Sequence, residues 1–231
     1  MRIDILTIFP DMFAGVLNES ILRIAREKGL VEFHLHNIRN WTEDRHKSVD
    51  DRPYGGGPGM VMKPEPIFRA VEEIAGEPQE AEKILLSPQG EVFSQKMASE
   101  LAARKRLIFI CGRYEGFDER IRLGLAPREI SLGDFVLAGG EVAAMAIIEA
   151  VVRLLPGVLG DEDSAKYESF SSHTGEAKML DYPQYTRPPV FRGMRVPEVL
   201  LSGNHEKIRK WRESQALKKT KTRRKDLLDK K

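Results

Sequence analysis

Three apolar segments of the sequence each lead into a loop that could hold a ligand. Lys83–Leu86, Leu107–Ile110 and Glu129–Leu132 predict strands, and they precede the sequences SPQG, CGRYEG and GDFVLAGG. Glycine in such loops lets backbone amides approach a ligand closely. In an open parallel sheet, ligands bind beyond the carboxyl ends of the strands. Any one of these loops alone would be an ordinary turn, but three at one sheet edge predict a binding site.

A fourth glycine-rich segment runs from Asp50 to Met60. Its glycines at 55, 57 and 59 have GxGxG spacing, which is typical of a nucleotide-binding turn. That motif has to follow an apolar strand, whereas the preceding residues here are VDDRP, and the chain contains no GKS or GKT sequence. We therefore interpret the segment as a flexible loop that closes over a substrate rather than as a phosphate cradle.

The remaining reactive residues form weak patterns. His34 and His36 share one face of a predicted strand, which is metal-ligand spacing, but no third ligand lies nearby in the sequence. Cys111 ends an apolar strand, so a small buried thiol is expected there rather than a nucleophile. A single cysteine also excludes an intramolecular disulfide and any zinc site built on several cysteines. We expect no metal site.

The elements that must position these loops alternate between strands and helices. Ile3–Phe9 and Val31–Ile38 predict two further strands. Apolar spacing predicts helices over Met12–Lys28, Glu65–Ala75, Ser94–Arg104 and Glu141–Leu155. The last is apolar almost all round, so it is buried or packs on a second chain. This alternation predicts an α/β body with a parallel sheet.

Charge divides the 231 residues unevenly. Residues 201–231 hold 12 basic and 4 acidic side chains, whereas the rest of the chain is net acidic. A basic tail indicates a polyanionic partner. Composition predicts a body at residues 1–158, a flexible linker at 159–174 and a small basic helical domain at 175–231. The first residues do not form a signal peptide, and no apolar run approaches the roughly 18 residues of a membrane span, so we expect a cytoplasmic protein without membrane contact.

Six segments occur in a specific order along almost the whole chain. They are DDRPYGGGPGMVMKPEP, LLSPQGEVFSQ, FICGRYEGFDERI, SLGDFVLAGGE, YPQYTRPPV and VPEVLLSGNHEKIRKWR. Together they resemble the bacterial tRNA (guanine-N1)-methyltransferases of the SPOUT superfamily. The resemblance implies a parallel α/β sheet with a deep trefoil knot plus a small C-terminal helical domain. It also implies an obligate homodimer with each active site at the subunit interface.

The resemblance further implies that S-adenosyl-L-methionine binds within the knot, on the three loops described above. The implied cofactor-binding residues are Leu86, Ser87, Pro88, Gly112, Tyr114, Glu115, Leu132, Gly133, Asp134, Phe135, Val136, Leu137, Gly139 and Gly140.

The implied reaction methylates N1 of the guanosine 3′-adjacent to the anticodon, at position 37 of tRNA. Guanine N1 carries a proton that a base must remove, and the resulting charge on O6 needs a cationic partner. The family places an Asp as base in S-x-x-x-D-S-F, whereas this chain has Glu168 there, one methylene longer. Asp161 and Asp163 are upstream alternatives. Arg153 matches the arginine that the family places near the end of the long helix.

The C-terminal region supplies the expected tRNA contacts. Lys207, Arg209, Lys210 and Arg212 crowd one predicted helix, for which Asn204 is a candidate N-cap. By resemblance, Asp50, Arg113 and Arg187 are further RNA contacts. Two alternatives stay open: a non-catalytic RNA-binding protein on the same scaffold, or a methyltransferase of the superfamily that acts on another RNA site.

Overall fold

The chain divides into two compact units, which we call the body (Met1–Gly160) and the C-terminal unit (Asp161–Lys231). The computed structural model describes residues 1–76, 81–160, 168–170 and 179–228. Most of the predicted linker at 159–174 lies outside the described residues. The predicted domain limits at 158 and 175 therefore remain predictions.

The body contains a five-stranded parallel sheet. Its strands are β1 (Arg2–Thr7), β2 (Glu32–Asn37), β5 (Glu82–Val92), β6 (Arg106–Ile110) and β7 (Arg128–Ser131). The strand order is β2-β1-β6-β5-β7, and each neighbouring pair is parallel. A separate antiparallel pair consists of β3 (Asp50–Asp51) and β4 (Val61–Met62). The predicted α/β class with a parallel sheet is confirmed.

Helices cover both faces of this sheet. They are α1 (Ala14–Leu17), α2 (Ser20–Glu27), α3 (Pro64–Ala75), α4 (Gln95–Ala102), α5 (Glu119–Leu125) and α6 (Glu141–Val152). Alternate strand residues point to opposite faces, so Leu107 and Phe109 pack with α2, α4 and α6, while Ile108 and Ile110 pack with α3 and α5. Burial on both faces explains why the central strands are almost continuously apolar.

The segment Ser87–Gly90, predicted as a loop, lies inside β5. Residues on either side of it, Leu86 and Glu91, both pair with Ile130 of β7, so the four residues between them bulge out of the ladder. Pro88 cannot donate a ladder hydrogen bond. A Cβ at Gly90 would collide with the backbone of β7. The sequence pattern predicted where pairing is interrupted, but the strand continues beyond the interruption.

The prediction of a single helix over Met12–Lys28 is wrong, because the helical structure is interrupted within this range. A 3-10 turn at Pro10–Phe13 leads into α1, and α2 begins only at Ser20, whose φ is +50°. Helix α5 was missed. Its signals were the N-cap Asp118, whose carboxylate accepts a hydrogen bond from the Arg120 amide at 2.9 Å, and the buried pair Ile121 and Leu125.

In the described part of the C-terminal unit, a hairpin precedes two helices. The hairpin is formed by β8 (Val190–Phe191) and β9 (Met194–Arg195), and the helices are α7 (Glu198–Leu201) and α8 (His205–Arg223). The Asn204 side chain accepts a hydrogen bond from the Lys207 amide at 3.0 Å, which confirms the expected N-cap. Among the helices of the described residues, none is long and apolar enough to span a membrane.

Candidate active site

A cavity of about 310 Å³ lies at the interruption of β5 and at the carboxyl ends of β6 and β7, and we call it the cofactor cavity. The three glycine-containing segments expected to meet at this edge do meet there. All the residues that the resemblance assigns to the cofactor line the cavity except Asp134, which belongs to the same loop but not to the wall. The lining also contains residues that the resemblance does not assign to the cofactor, which are Gln89, Arg113, Gly116, Phe117, Arg122, Ile130, Ser131, Ala138 and Ala143. Of these, Arg113 was expected to contact RNA instead.

The segments approach each other so closely that a side chain at position 140 would crowd its neighbours. Gly140 donates its amide hydrogen to the carbonyl oxygen of Gly112 at 2.9 Å. A Cβ at Gly140 would lie 3.0 Å from the Cα of Cys111 and 3.2 Å from the Cβ of Leu86. The loop after β7 therefore packs directly on both β5 and the loop after β6.

The wall of the cofactor cavity combines apolar side chains with backbone polar groups. Leu86, Ile130 and Leu132 supply the apolar part, and Glu115 supplies a carboxylate. Concave sites of about 300–1,000 Å³ with few polar groups are typical of small-molecule binding. The cavity therefore suits a small molecule, and its lining carries charges of both signs, from Glu115, Arg113 and Arg122.

Beneath the cavity, the buried Glu141 joins three segments. One carboxylate oxygen accepts a hydrogen bond from the Thr7 hydroxyl at 2.8 Å, and the other accepts from Nε of Arg113 at 3.0 Å. Glu141 is fully buried in the first turn of α6, where the helix dipole favours negative charge. The guanidinium of Arg113 lies 4.6 Å from the centre of the Phe9 ring. The predicted RNA contact Arg113 is thus held by the body itself.

Cys111 lies behind the cavity wall as a fully buried thiol, as expected from its position at the end of an apolar strand. Burial raises the pKa of the Cys111 thiol well above its ordinary value, and the negative charge of Glu141 raises it further. A protonated, inaccessible thiol does not act as a nucleophile.

The glycine-rich loop spans the gap between β3 and β4, so it is not the strand-to-helix turn of a dinucleotide site. Its end is fixed to the loop after β6, because the Glu115 amide donates to the Met60 carbonyl and the Met62 amide donates to the Gly116 carbonyl, both at 2.9 Å. Gly59 has φ +76°, and a Cβ there would collide with the Glu115 side chain. The loop is thereby anchored at the rim of the cofactor cavity, with Asp50 half-buried at its start.

The two expected catalytic residues lie in different units. Arg153 is the half-buried C-cap of α6, and its amide donates to the Glu149 carbonyl at 3.1 Å. Glu168 is half-buried in the C-terminal unit, next to Ser169, whose hydroxyl accepts a hydrogen bond from the Asp181 amide at 3.0 Å. The alternative acids Asp161 and Asp163 lie outside the described residues.

The histidine pair is engaged with carboxylates. His36 lies 2.8 Å from Asp4, and His34 lies 3.4 Å from Glu32. No group of three or more His, Cys, Asp or Glu side chains within the described ranges could hold a metal ion. Burial alone would raise the pKa of Asp4, but hydrogen bonds from His36, Arg2 and Arg106 outweigh it and hold that pKa far below its ordinary value.

The expected RNA-contact residues of α8 are exposed. They are Lys207, Arg209, Lys210 and Arg212. Two of them form ion pairs along the helix, Lys210 with Glu206 at 2.7 Å and Arg209 with Glu213 at 2.8 Å. Arg187 is exposed in the proline-rich segment before the hairpin.

The body has a parallel α/β sheet, and a ligand-sized cavity lies between glycine-rich loops at the carboxyl edge of that sheet. This is the architecture of a cofactor-binding α/β enzyme. A model of the family described as "tRNA (Guanine-1)-methyltransferase TrmD" matches residues 1–230. The chain therefore belongs to this family.

Curated relatives carry the same kind of name. Proteins named tRNA (guanine-N(1)-)-methyltransferase from Dictyoglomus turgidum and Moorella thermoacetica are each 59% identical to this chain over 230 residues. The alignments cover 100% and 99% of the chain and 91% and 90% of those proteins. A protein of the same name from Geobacillus kaustophilus is 58% identical over 229 residues, which cover 99% of the chain and 92% of that protein.

Proposed function

We propose that the protein transfers a methyl group from S-adenosyl-L-methionine to N1 of the guanosine at position 37 of tRNA, 3′-adjacent to the anticodon. The observation that carries this proposal is the family match over residues 1–230, supported by relatives of the same name along the full chain. The proposed location is the cytoplasm, where a tRNA substrate is available.

S-adenosyl-L-methionine is the methyl donor of this proposal, and the cofactor cavity is its site. The volume of about 310 Å³ lies at the lower end of the range typical of small-molecule sites. Leu86, Ile130 and Leu132 offer an apolar surface for an adenine ring, and Glu115 offers a carboxylate to the cationic end. When bound, the sulfonium supplies an electrophilic methyl group.

The proposed fold of the site is a deep trefoil knot. Two contacts support this topology. The Gly140 amide bonds to the Gly112 carbonyl, and a backbone bridge joins Arg113 to Gly139. The chain after β7 thus runs tightly against the loop after β6 before it enters α6. Close packing of this kind explains the glycines at positions 139 and 140, where a Cβ would crowd Arg113 and the backbone of Cys111.

In the proposed reaction, Glu168 removes the proton from guanine N1, and the guanidinium of Arg153 stabilises the negative charge that builds on O6 as the proton leaves. The nitrogen would attack the methyl group, whose bond to sulfur would break, so that the donor would leave as a neutral thioether and the methylated guanine would be uncharged. An arginine suits this role because it stays charged and donates several hydrogen bonds. Product release returns the proton from Glu168 to solvent.

A homodimer with the active site at its interface is the proposed assembly. Apolar side chains around the cofactor cavity are exposed in the single chain: Phe135 is 54% exposed, Val136 86% and Val142, in the first turn of α6, 49%. Large exposed apolar patches mark interaction sites. A second copy packed on this surface would cover these residues and complete the wall.

The C-terminal unit is the proposed tRNA-binding domain. The exposed cations of α8 attract phosphates without reading sequence, which positions the RNA rather than selecting a base. Selection of the guanosine then depends on the site that holds its N1 and O6 edge.

The test is methyl transfer from labelled S-adenosyl-L-methionine to unmodified tRNA transcripts. One transcript carries guanosine at position 37, and a matched transcript carries adenosine there. Transfer to the first alone is the expected result. Equal transfer to both transcripts would show that the protein methylates another RNA site. Binding of cofactor and tRNA without methyl transfer would show that the protein binds RNA without catalysing the reaction.

A further inference from the structure

The C-terminal unit contains a second cavity, of about 730 Å³, that the proposed reaction does not use. We call it the tyrosine cavity. The proline-rich segment at 182–189 forms one side, and residues of α7 and the first turns of α8 form the other. Its position within one unit means that it can be considered without reference to the body.

Two tyrosines give this cavity its chemical character. Tyr185 is 50% exposed, and its ring centre lies 6.4 Å from that of Trp211. Tyr182 is covered on one side by the guanidinium of Arg212, 4.7 Å from the ring centre. Each ring is therefore held by a neighbour, so it offers a preformed surface at little cost in side-chain entropy.

The charged groups at the cavity all have one sign. Arg187 and Arg212 line it, and none of its described lining residues is acidic. Leu200 and Ile208 supply an apolar wall between them. The exposed Lys207 continues this positive surface along α8, where Lys210 is paired with Glu206. A ligand for this site has a flat aromatic part and carries negative charge on the part that stays outside.

We infer that the tyrosine cavity binds an unpaired nucleobase of the tRNA, stacked against Tyr185, with the flanking phosphates on Arg187 and Arg212. This inference rests on the proposed function for the identity of the RNA. Stacking on aromatic side chains together with cationic contacts to the backbone is the usual way in which proteins bind unpaired nucleotides. The basic helix then has a partner site that fixes the register of the RNA, which phosphate contacts alone do not do.

The first experiment measures equilibrium binding of the full-length protein to an unmodified tRNA transcript over a range of salt concentrations. Tyr185→Leu should weaken binding by about ten-fold, the scale of one lost stacking contact, and leave the salt dependence unchanged. Tyr185→Phe keeps the ring and should bind as wild type. The double variant Lys207→Gln, Lys210→Gln should instead reduce the slope with which the logarithm of the binding constant falls as the logarithm of the salt concentration rises.

The matched control is Phe191→Leu, which removes an exposed aromatic ring of the same unit that does not line the cavity. It should bind as wild type. An equal loss in Phe191→Leu and Tyr185→Leu, or no loss in Tyr185→Leu, would overturn the inference. So would a change in the oligomeric state of Tyr185→Leu, because the cavity would then hold a second copy of the chain.

The second experiment identifies the base. Transcripts that each lack one base among the unpaired nucleotides are titrated with wild type and Tyr185→Leu. At one position of the tRNA, the losses of binding free energy from removing the base and from Tyr185→Leu should not add, because both changes remove the same contact. Additive losses at every position would overturn the inference. Methyl transfer is measured with the same wild-type preparation, so that the two proposals can be tested separately. Non-additive losses of binding free energy without methyl transfer would contradict only the proposed function. Methyl transfer with additive losses would contradict only the nucleobase site.

Discussion

The carboxylate at position 168 is the residue on which the proposed chemistry depends. Glu168→Gln keeps the size of the side chain and removes the base, so kcat should fall by about 100-fold or more while cofactor affinity stays unchanged. Glu168→Asp retains a carboxylate and should keep substantial activity. Single-turnover methyl transfer checks both variants. Full activity in Glu168→Gln would show that another acid is the base, with Asp161 and Asp163 as the upstream candidates.

Glu141 gives a second prediction at the scale of one residue. Glu141→Gln places an amide NH₂ or a neutral oxygen against Nε of Arg113, so the buried ion pair is lost. We expect the free energy of unfolding to fall by about 3 kcal/mol, and cofactor affinity to fall with it because Arg113 lines the cavity. Denaturant unfolding and calorimetric titration measure the two effects.

The control for this variant is Glu149→Gln, an exposed glutamate on the same helix. It should change neither stability nor affinity. If Glu141→Gln loses stability but binds the cofactor normally, the ion pair supports the fold alone and does not shape the cavity.

At the scale of elements, the packing of the loop after β7 on its neighbours leads to a third prediction. In Gly140→Ala the new methyl group would be forced against the Cα of Cys111 and the backbone of Gly112, which must then move apart. Cofactor affinity should drop by at least about ten-fold, an energy of about 1.4 kcal/mol. Gly160→Ala, where nothing lies within 4 Å of the added Cβ, is the matched control for replacing a glycine of the body.

The strands and helices differ in how well the sequence predicts them. Apolar runs such as Leu107–Ile110 identify buried strands, because strands covered on both faces need apolar side chains throughout. The continuation of β5 past Ser87–Gly90 was not predictable, since it depends on pairing with β7, about 40 residues away in the chain. The break before Ser20 was missed for a related reason, because tertiary packing overrides the helical spacing of its neighbours.

The candidate site was predictable to a similar degree. Glycine-rich ends of strands indicate a ligand edge by themselves, whereas the roles of the individual residues came from the family resemblance. Glu141 was missed because a glutamate at the start of a helix is expected to be exposed in the first turn. Only the structure shows Thr7 and Arg113 meeting it from distant parts of the chain.

For the whole molecule, Asp4 makes the body sensitive to acid. The pKa of Asp4 is lowered in the folded state, so its ion pairs stabilise the fold above the ordinary value of 3.8, and this contribution is lost as the pH falls below it. Asp4→Asn should reduce the free energy of unfolding at pH 7 by about 3 kcal/mol, because it leaves His36, Arg2 and Arg106 without their shared carboxylate.

Denaturant titrations at pH 7 and pH 3 provide the measurement. The difference in the free energy of unfolding between wild type and Asp4→Asn should narrow at pH 3. At that pH Asp4 is largely protonated in the unfolded chain but still charged in the folded protein, which reduces its contribution. Glu27→Gln, which removes an exposed ion pair with Arg23, should leave stability unchanged at both values. A difference that stays constant with pH would mean that Asp4 acts through packing rather than charge.

The burial of Cys111 makes modification of its thiol a measure of the unfolding of the body. The chain has one cysteine, and its thiol is both fully covered and held protonated in the folded state. A thiol reagent in solution can modify it only in molecules whose central sheet has opened. The native chain therefore allows unfolding of the body to be timed by mass spectrometry, without a dye, a tag or an engineered residue.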